Sequence, residues 1–148
     1  KFGAVKRCYL IKDPETKFAC KIILRSKLND SLLQYLKNEI NILNSLNSPN
    51  LIKLHQVERT GTHYYLFFDL CNGGDVHQLL TLWKQYTTQS KFSENEALLI
   101  LKQIISGYEV IVKKNIMHRD IKLENILIHF PDKNLLAMKP TEKKFFLS

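Results

Sequence analysis

The sequence predicts an α+β fold in two lobes, a β-rich first lobe and a helix-rich second lobe. Short apolar and β-branched runs dominate the chain up to about residue 70, whereas helical spacing of apolar residues dominates after about residue 75. The turn-forming residues 72–75, Asn-Gly-Gly-Asp, separate the two patterns. A strand-rich region followed by a helix-rich region is typical of α+β folds, in which helices are segregated from the sheet.

The composition is that of a folded globular chain. Of the 148 residues, 45% are hydrophobic and 24% are charged, which is enough apolar content to bury a core. The net charge of +8 is compatible with nucleic acid or acidic lipid, but the basic residues are scattered rather than clustered. We therefore expect no nucleic-acid partner. We also expect no membrane span, because the chain lacks an apolar run of about 18 residues.

The cysteines indicate a reducing compartment. Cys8, Cys20 and Cys71 are an odd number and form no C-x-x-C pair. Disulfide frameworks and zinc sites use paired cysteines at characteristic spacings. Free thiols fit this pattern better, and we expect a cytoplasmic protein.

The first lobe is predicted to begin with a β-hairpin. Residues 4–11 and 17–24 are apolar and β-branched runs, and residues 12–16 between them carry turn-forming side chains. Two further apolar runs, residues 51–57 and 63–70, are expected to pair as strands. The first lobe should therefore contain an antiparallel sheet.

One amphipathic helix is predicted between the two strand pairs. Residues 30–46 repeat leucine and isoleucine at helical spacing, and Asn29, Asp30 or Ser31 could cap the start. Residues 48–50, Ser-Pro-Asn, end the pattern. The first lobe is therefore expected to combine the sheet with a single helix.

The second lobe is predicted to begin with two helices, residues 75–86 and 93–113. The polar residues 84–91 read as the loop between them. Ser93 and Glu96 have the spacing of a capping box, which indicates the start of the longer helix. Residues 143–148 are typical of a short strand.

The strongest chemical signal is the run from His118 to Asn125. It resembles the catalytic loop of protein kinases, H-R-D-x-K-x-x-N, at every fixed position. In that family Asp120 would orient the substrate hydroxyl and accept its proton, and Lys122 would neutralise charge on the transferring phosphoryl group. Asn125 would bind one Mg²⁺ through a neutral oxygen. The alternative is a polar loop in which Asp120 and Lys122 form an exposed ion pair.

A second motif lies upstream, at residues 18–22. It is similar to the third-strand kinase motif V-A-I-K, with Cys20 as the one departure, and Lys21 would bind the α- and β-phosphates of ATP. A lysine buried without a partner is costly, so a helical carboxylate is expected beside it, and Glu39 has the right spacing. Taken alone, Lys21 would more often be a solvated strand lysine.

The resemblance extends to the remaining nucleotide-binding positions. Gly3 and Val5 look like the end of the kinase glycine-rich loop, and residues 65–75 resemble the segment that joins the two kinase lobes. Phe68 falls at the gatekeeper position. The positions implied to contact ATP are Gly3, Val5, Ala19, Lys21, Phe68, Asp69, Cys71, Asp75 and Leu127.

Within that set the resemblance implies different contacts. The backbones of Asp69 and Cys71 would pair with adenine, and Asp75 would contact the ribose. Val5, Ala19 and Leu127 would enclose the adenine ring, since a flat apolar ligand needs apolar neighbours. The alternative for the Cys71 side chain is an ordinary core or turn thiol.

The resemblance covers residues 2–128 and implies a partial protein kinase domain over residues 1–148. Residues 1–71 would form the N-lobe with its regulatory helix, and residues 72–148 would form the start of the helical C-lobe through the catalytic loop. The second metal-binding motif, D-F-G, is missing after Asn125. We expect the chain to stop one residue before it, after an enlarged loop at residues 129–142; Asp132 as a displaced substitute is the alternative.

The resemblance implies an ATP- and Mg²⁺-dependent protein kinase acting on serine and threonine, because Lys122 is the Ser/Thr form of the loop. The nearest pattern is that of the autophagy-initiating kinases, with calcium/calmodulin-dependent kinases as rivals. Partners would be ATP, a protein substrate and regulatory proteins, and the truncated chain alone should be inactive. The competing hypotheses are a non-catalytic pseudokinase or interaction module and a small-molecule phosphotransferase.

Overall fold

The computed structural model describes residues 3–86, 91–130 and 144–148. The chain divides into two compact units. The first comprises Lys1–Asn47 and Lys53–Leu70, and the second comprises Ser48–Ile52 and Cys71–Ser148. The first contains a sheet and one α-helix, and the second is mainly helical, which confirms the predicted α+β class. No described helix is both long and apolar enough to cross a membrane.

A four-stranded antiparallel sheet forms the first unit, in the order β1-β2-β4-β3. The strands are β1 (Gly3–Leu10), β2 (Asp13–Leu24), β3 (Leu54–Arg59) and β4 (His63–Asp69). The predicted hairpin is confirmed, but its turn is tighter than expected and β2 begins at Asp13. A register shift between Tyr9 and Leu10 accommodates the short turn.

Helix α1 (Asp30–Ser45) completes the first unit, after a 3-10 turn at Arg25–Lys27. The side chain of Asn29 caps it by accepting a hydrogen bond from the backbone N–H of Leu32 at 2.9 Å. The helix packs one apolar face on the sheet because its leucines and isoleucines recur every three or four residues. The core of this unit consists of Ile23, Leu36, Leu54 and Leu66.

In its described residues the second unit contains two α-helices, α2 (Val76–Tyr86) and α3 (Glu94–Lys113). Ser93 and Glu96 form the predicted capping box at the start of α3. A 3-10 turn (Leu123–Asn125) leads into β5 (Ile126–His129), which pairs antiparallel with β6 (Lys144–Leu147). The expected enlarged loop at residues 129–142 lies almost wholly outside the described residues, as does the alternative based on Asp132.

Residues 48–52 belong to the second unit, so the predicted strand at residues 51–57 was wrong at its start. The side-chain amide of Asn50 donates to Gln103 Oε1 at 3.2 Å and to the backbone oxygen of Phe145 at 3.1 Å. The backbone N–H of Ile52 donates to the oxygen of Leu147 at 3.2 Å. These contacts hold the segment on α3 and β6, and the strand in the first unit begins only at Leu54.

Candidate functional site

Lys21 and Glu39 meet within the first unit. Lys21 lies on β2 and Glu39 on α1, and the Lys21 ammonium donates to Glu39 Oε1 at 2.9 Å. The two side chains are 32% and 47% exposed. Burial of the lysine is therefore not what forces the pairing, contrary to the argument from sequence. The position of α1 places the carboxylate there, and an exposed pair of this kind adds little to stability.

Four of the predicted nucleotide contacts of the first unit, Lys21 among them, share one face of its sheet. Val5 is the register partner of Lys21, and Ala19 is the partner of Phe68. Because side chains alternate along a strand, Val5, Ala19, Lys21 and Phe68 point to the same side. The apolar members of this set and the ammonium group are thus adjacent, as a ligand with an apolar ring and phosphates requires.

Gly3 lies at the start of β1, where the backbones of β1 and β2 approach closely. A Cβ atom at this position would collide with the backbone oxygen of Ile22. The glycine is therefore required by contact within the sheet itself. Phe2, the preceding residue of the predicted motif, lies outside the described residues.

Asp69, at the end of β4, uses its side chain as well as its backbone. Its carboxylate Oδ2 accepts from the backbone N–H of Lys53 at 3.1 Å, and Oδ1 lies 2.6 Å from Nε2 of His55. The sequence argument assigned only the Asp69 backbone and missed His55. A histidine near the end of an apolar run gives no local indication of its bonding partner. Strand pairing decides which residue lies beside it.

The catalytic-loop candidates meet within the second unit. Lys122 Nζ lies 3.0 Å from Asp120 Oδ1, and the side-chain amide of Asn125 donates to Asp120 Oδ2 at 2.8 Å and to the Asp120 backbone oxygen at 2.8 Å. The hydrogen bond from Lys122, followed by that from Asn125, lowers the pKa of the Asp120 carboxyl below its ordinary value. Asp120 therefore remains ionised to lower pH than a free aspartate.

His118 and Ser148 anchor this loop by hydrogen bonds. The His118 Nδ1 accepts from the backbone N–H of Asp120 at 3.3 Å, and its Nε2 lies 2.9 Å from the backbone oxygen of Ser148. The Ser148 backbone N–H and hydroxyl both donate to the backbone oxygen of Asn125, at 3.0 and 3.1 Å. Arg119, between His118 and Asp120, adopts the left-handed conformation, with φ of 66°. The loop is held at both ends by hydrogen bonds.

Residues 72–75 run beside β5. The Gly73 N–H donates to the oxygen of Ile128 at 2.9 Å, and the Ile128 N–H donates to the oxygen of Gly74 at 2.8 Å. A bridge joins Asp75 to Leu127, so these two predicted nucleotide contacts are brought together. A Cβ on Gly73 would lie 2.5 Å from a ring carbon of Phe130, which explains the glycine.

The Asp75 carboxylate also has a structural role that the sequence argument missed. Its Oδ1 accepts from the backbone N–H of Gln78 at 2.8 Å and caps α2. The signal was available in the sequence, because an aspartate immediately before a predicted helix is a preferred N-cap. The second carboxylate oxygen takes no part in this bond.

The predicted site residues thus fall into two sets, one in each unit. The set in the first unit is Gly3, Val5, Ala19, Lys21, Glu39, Phe68 and Asp69, and the set in the second unit is Cys71, Asp75, Asp120, Lys122, Asn125 and Leu127. Among the described residues, no three His, Cys, Asp or Glu side chains group as metal ligands.

Comparison with known proteins agrees with this arrangement. The family model of the protein kinase domain matches residues 1–139. Serine/threonine-protein kinase 33 of Bos taurus is 35% identical over 117 residues, which are 79% of this chain and 23% of that protein. Serine/threonine-protein kinase ATG1 of Candida glabrata is 36% identical over 149 aligned positions, which cover 88% of this chain and 16% of that protein. Calcium-dependent protein kinase 5 of Plasmodium falciparum is 41% identical over 109 residues, which are 74% of this chain and 18% of that protein.

Proposed function

The chain belongs to the protein kinase family, and we propose that it carries the nucleotide-binding lobe and the catalytic loop of a kinase that phosphorylates serine and threonine. It spans only 16–23% of the length of the relatives described above, so this activity is proposed for the complete protein. The observation that carries the proposal is the Asp120 carboxylate held between Lys122 and Asn125.

The chemistry of this cluster suits transfer of a phosphoryl group to a hydroxyl. An ionised carboxylate can orient the substrate hydroxyl and take its proton, and the lowered pKa of Asp120 favours the ionised form. Lys122, 3.0 Å away, supplies a positive charge where negative charge develops on the phosphoryl oxygens. We therefore assign Asp120 as the base and Lys122 as the electrostatic partner.

Protein kinase domains use ATP and generally a divalent cation. The residues present fit both. The bonds from Asn125 to Asp120 use the amide nitrogen of Asn125 and leave the amide oxygen, the hard ligand that Mg²⁺ prefers, outside the pair. When bound, Mg²⁺ would neutralise charge on the phosphates. We assign Asn125 to this metal and Lys21, oriented by Glu39, to the α- and β-phosphates.

The remaining ATP contacts are proposed unit by unit. In the first unit we assign Gly3 to the phosphates, Val5 and Ala19 to the faces of adenine, Phe68 to the gatekeeper position and the Asp69 backbone to the adenine edge. In the second unit we assign the Cys71 backbone and Leu127 to adenine. Asp75, whose Oδ1 already caps α2, would use its second oxygen on the ribose.

The domain limits, the cellular location and the partners are also part of the proposal. We propose residues 1–71 as the N-lobe with its connection, apart from residues 48–52, which belong to the second unit, and residues 72–148 as the beginning of the C-lobe. Cys8, Cys20 and Cys71, all of them described residues, form no disulfide, which favours the cytoplasm. The partners would be a protein substrate that presents a serine or threonine, and regulatory proteins. A non-catalytic module and a small-molecule phosphotransferase are not favoured, because the relatives named above are Ser/Thr kinases.

The test is substitution of Asp120 by asparagine in the complete protein. Asparagine keeps the shape of the side chain but cannot accept a proton, so phosphorylation of a serine peptide should fall by about a hundredfold or more. Glu109→Gln is the control, since Glu109 is an exposed carboxylate on α3 that lies 4.0 Å from Lys113. If D120N and E109Q both retained the wild-type rate of phosphate transfer from ATP, the assignment would be wrong.

A further inference from the structure

His55 contacts the end of β4, where the residue assigned to the adenine edge lies. The His55 Nε2 and the Asp69 Oδ1 are 2.6 Å apart. The other carboxylate oxygen of Asp69 accepts from the Lys53 N–H at 3.1 Å, and the Asp69 N–H donates to the Lys53 oxygen at 3.1 Å. Asp69 is thus attached to the neighbouring strand region by its backbone and by both oxygens of its side chain.

A break in strand register accompanies this contact. Leu54 pairs with Phe68 and Gln56 pairs with Phe67, so His55 is an extra residue with no counterpart of its own on β4. An extra residue of this kind is a β-bulge, which bends a strand and redirects a side chain. The bulge therefore occurs at the residue that bonds Asp69.

A third strand also contributes to this contact. Phe18 on β2 is the register partner of Asp69, and its ring meets the His55 ring edge to face, with centroids 5.2 Å apart and planes at 73°. The imidazole is therefore held by an aromatic neighbour from β2 while it bonds a carboxylate on β4. Ala19, one residue further along β2, is the partner of Phe68.

Stability alone does not account for this arrangement. The His55 and Asp69 side chains are 34% and 37% exposed, and ion pairs or hydrogen bonds with that exposure contribute little to folding. The geometry instead constrains one short piece of backbone. Recognition by backbone N–H and C=O groups requires their positions to be held within about 0.5 Å, which side chains bonded to that backbone can provide.

We infer that His55 is a positioning residue for nucleotide binding: by bonding Asp69 it fixes the end of β4 and hence the backbone that meets adenine. The inference rests on the proposed ATP site. His55 contacts no substrate atom and acts only through Asp69. Its loss should therefore weaken binding of the nucleotide base and leave the phosphoryl-transfer step unchanged.

The experiment compares variants of the complete protein by steady-state kinetics with ATP and with GTP. His55→Phe keeps a ring against Phe18 and removes the N–H donor, whereas His55→Gln keeps a donor. Asp69→Asn removes the charge of the acceptor. His63→Phe is the matched control, because His63 lies on the same sheet and bonds the Thr62 hydroxyl instead, at 2.8 Å.

For H55F we expect the KM for ATP to rise by about three- to tenfold, with kcat within about twofold, since loss of one ordinary intramolecular hydrogen bond has roughly that effect. The preference for ATP over GTP should fall. H55Q should stay within about twofold of wild type, H63F should be unchanged, and H55F combined with D69N should be no worse than either single variant.

The inference is overturned if H55F keeps the wild-type KM for ATP, if it lowers kcat instead, or if H55Q is impaired as much as H55F. Lys21→Met separates this failure from failure of the ATP site. If K21M weakens ATP binding and H55F does not, only the role of His55 is wrong. If the wild-type protein neither binds ATP nor transfers phosphate, the proposed function and the inference both fail.

Discussion

The two clusters of charged side chains in this molecule are built in different ways. Asp120, Lys122 and Asn125 lie within six positions of one another, and their contacts are made inside one loop. Lys21 and Glu39 are 18 positions apart, on a strand and a helix, and meet at 2.9 Å only because α1 packs on the sheet. The first cluster is a property of local backbone, whereas the second is a property of helix position.

This difference has a consequence for how each cluster can change. A movement of α1 would separate Glu39 from Lys21 without breaking any backbone hydrogen bond of the sheet. The loop cluster offers no such freedom, because His118 and Ser148 hold it through bonds of 2.9–3.3 Å. The strand–helix pair is therefore the adjustable part of the candidate site, and the loop is the fixed part.

After the loss expected for D120N, the largest expected effect comes from breaking the strand–helix pair. In the complete protein, Lys21→Met should lower kcat/KM for ATP by about ten- to a hundredfold, because charge-assisted bonds to phosphate are worth roughly 1.5–3 kcal/mol. Glu39→Gln should have a smaller effect in the same direction. The free energy of unfolding should change by less than about 1 kcal/mol, since both side chains are partly exposed.

Lys17→Met is the matched control for that prediction. Lys17 lies on the same strand and is 3.9 Å from Glu15, with 43% of its side chain exposed. Steady-state phosphorylation assays at varied ATP should leave K17M at the wild-type value. Equal losses in K17M and K21M would mean that general charge, and not the pair with Glu39, explains the effect.

A second prediction concerns the support of the fixed loop. Gly73→Ala should destabilise the protein by about 1–3 kcal/mol, because the added methyl group would lie 2.5 Å from Phe130 and 2.9 Å from Ile128, on the strand that follows the loop. Chemical unfolding of the complete protein measures this. Gly61→Ala, at a position with nothing within 4 Å of the new Cβ, should be neutral within about 1 kcal/mol. Similar losses in both variants would contradict the packing argument.

The smallest expected effect is a change in titration within the loop. Lys122 is the largest cause of the lowered Asp120 pKa, so Lys122→Met should raise that pKa toward the ordinary aspartate value. Asp120 would then lose its charge at a higher pH than in the wild type. Carboxyl NMR during an acid titration would detect the shift, and Lys113→Met, which lies beside Glu109, should leave the Asp120 titration unchanged.

Sequence reasoning succeeded where the signal was local. Asn29 caps α1 and Ser93 with Glu96 caps α3, because capping depends on side chains within four positions of each other. It was wrong at residues 51–53, because the apolar side chains of Leu51 and Ile52 fit a strand in either unit. The choice was made by Asn50, which bonds Gln103 and Phe145, residues far along the chain.

The sequence by itself determined the candidate residues of the loop from His118 to Asn125, the helices with the caps of α1 and α3, and the kinase family. It did so because spacing along the chain fixes those contacts. The tertiary structure alone decided that Glu39 meets Lys21 and that His55 bonds Asp69. The last contact depends on a bulge of one residue in β3. Strand register is set by the packing of the whole sheet, so no short stretch of sequence encodes it.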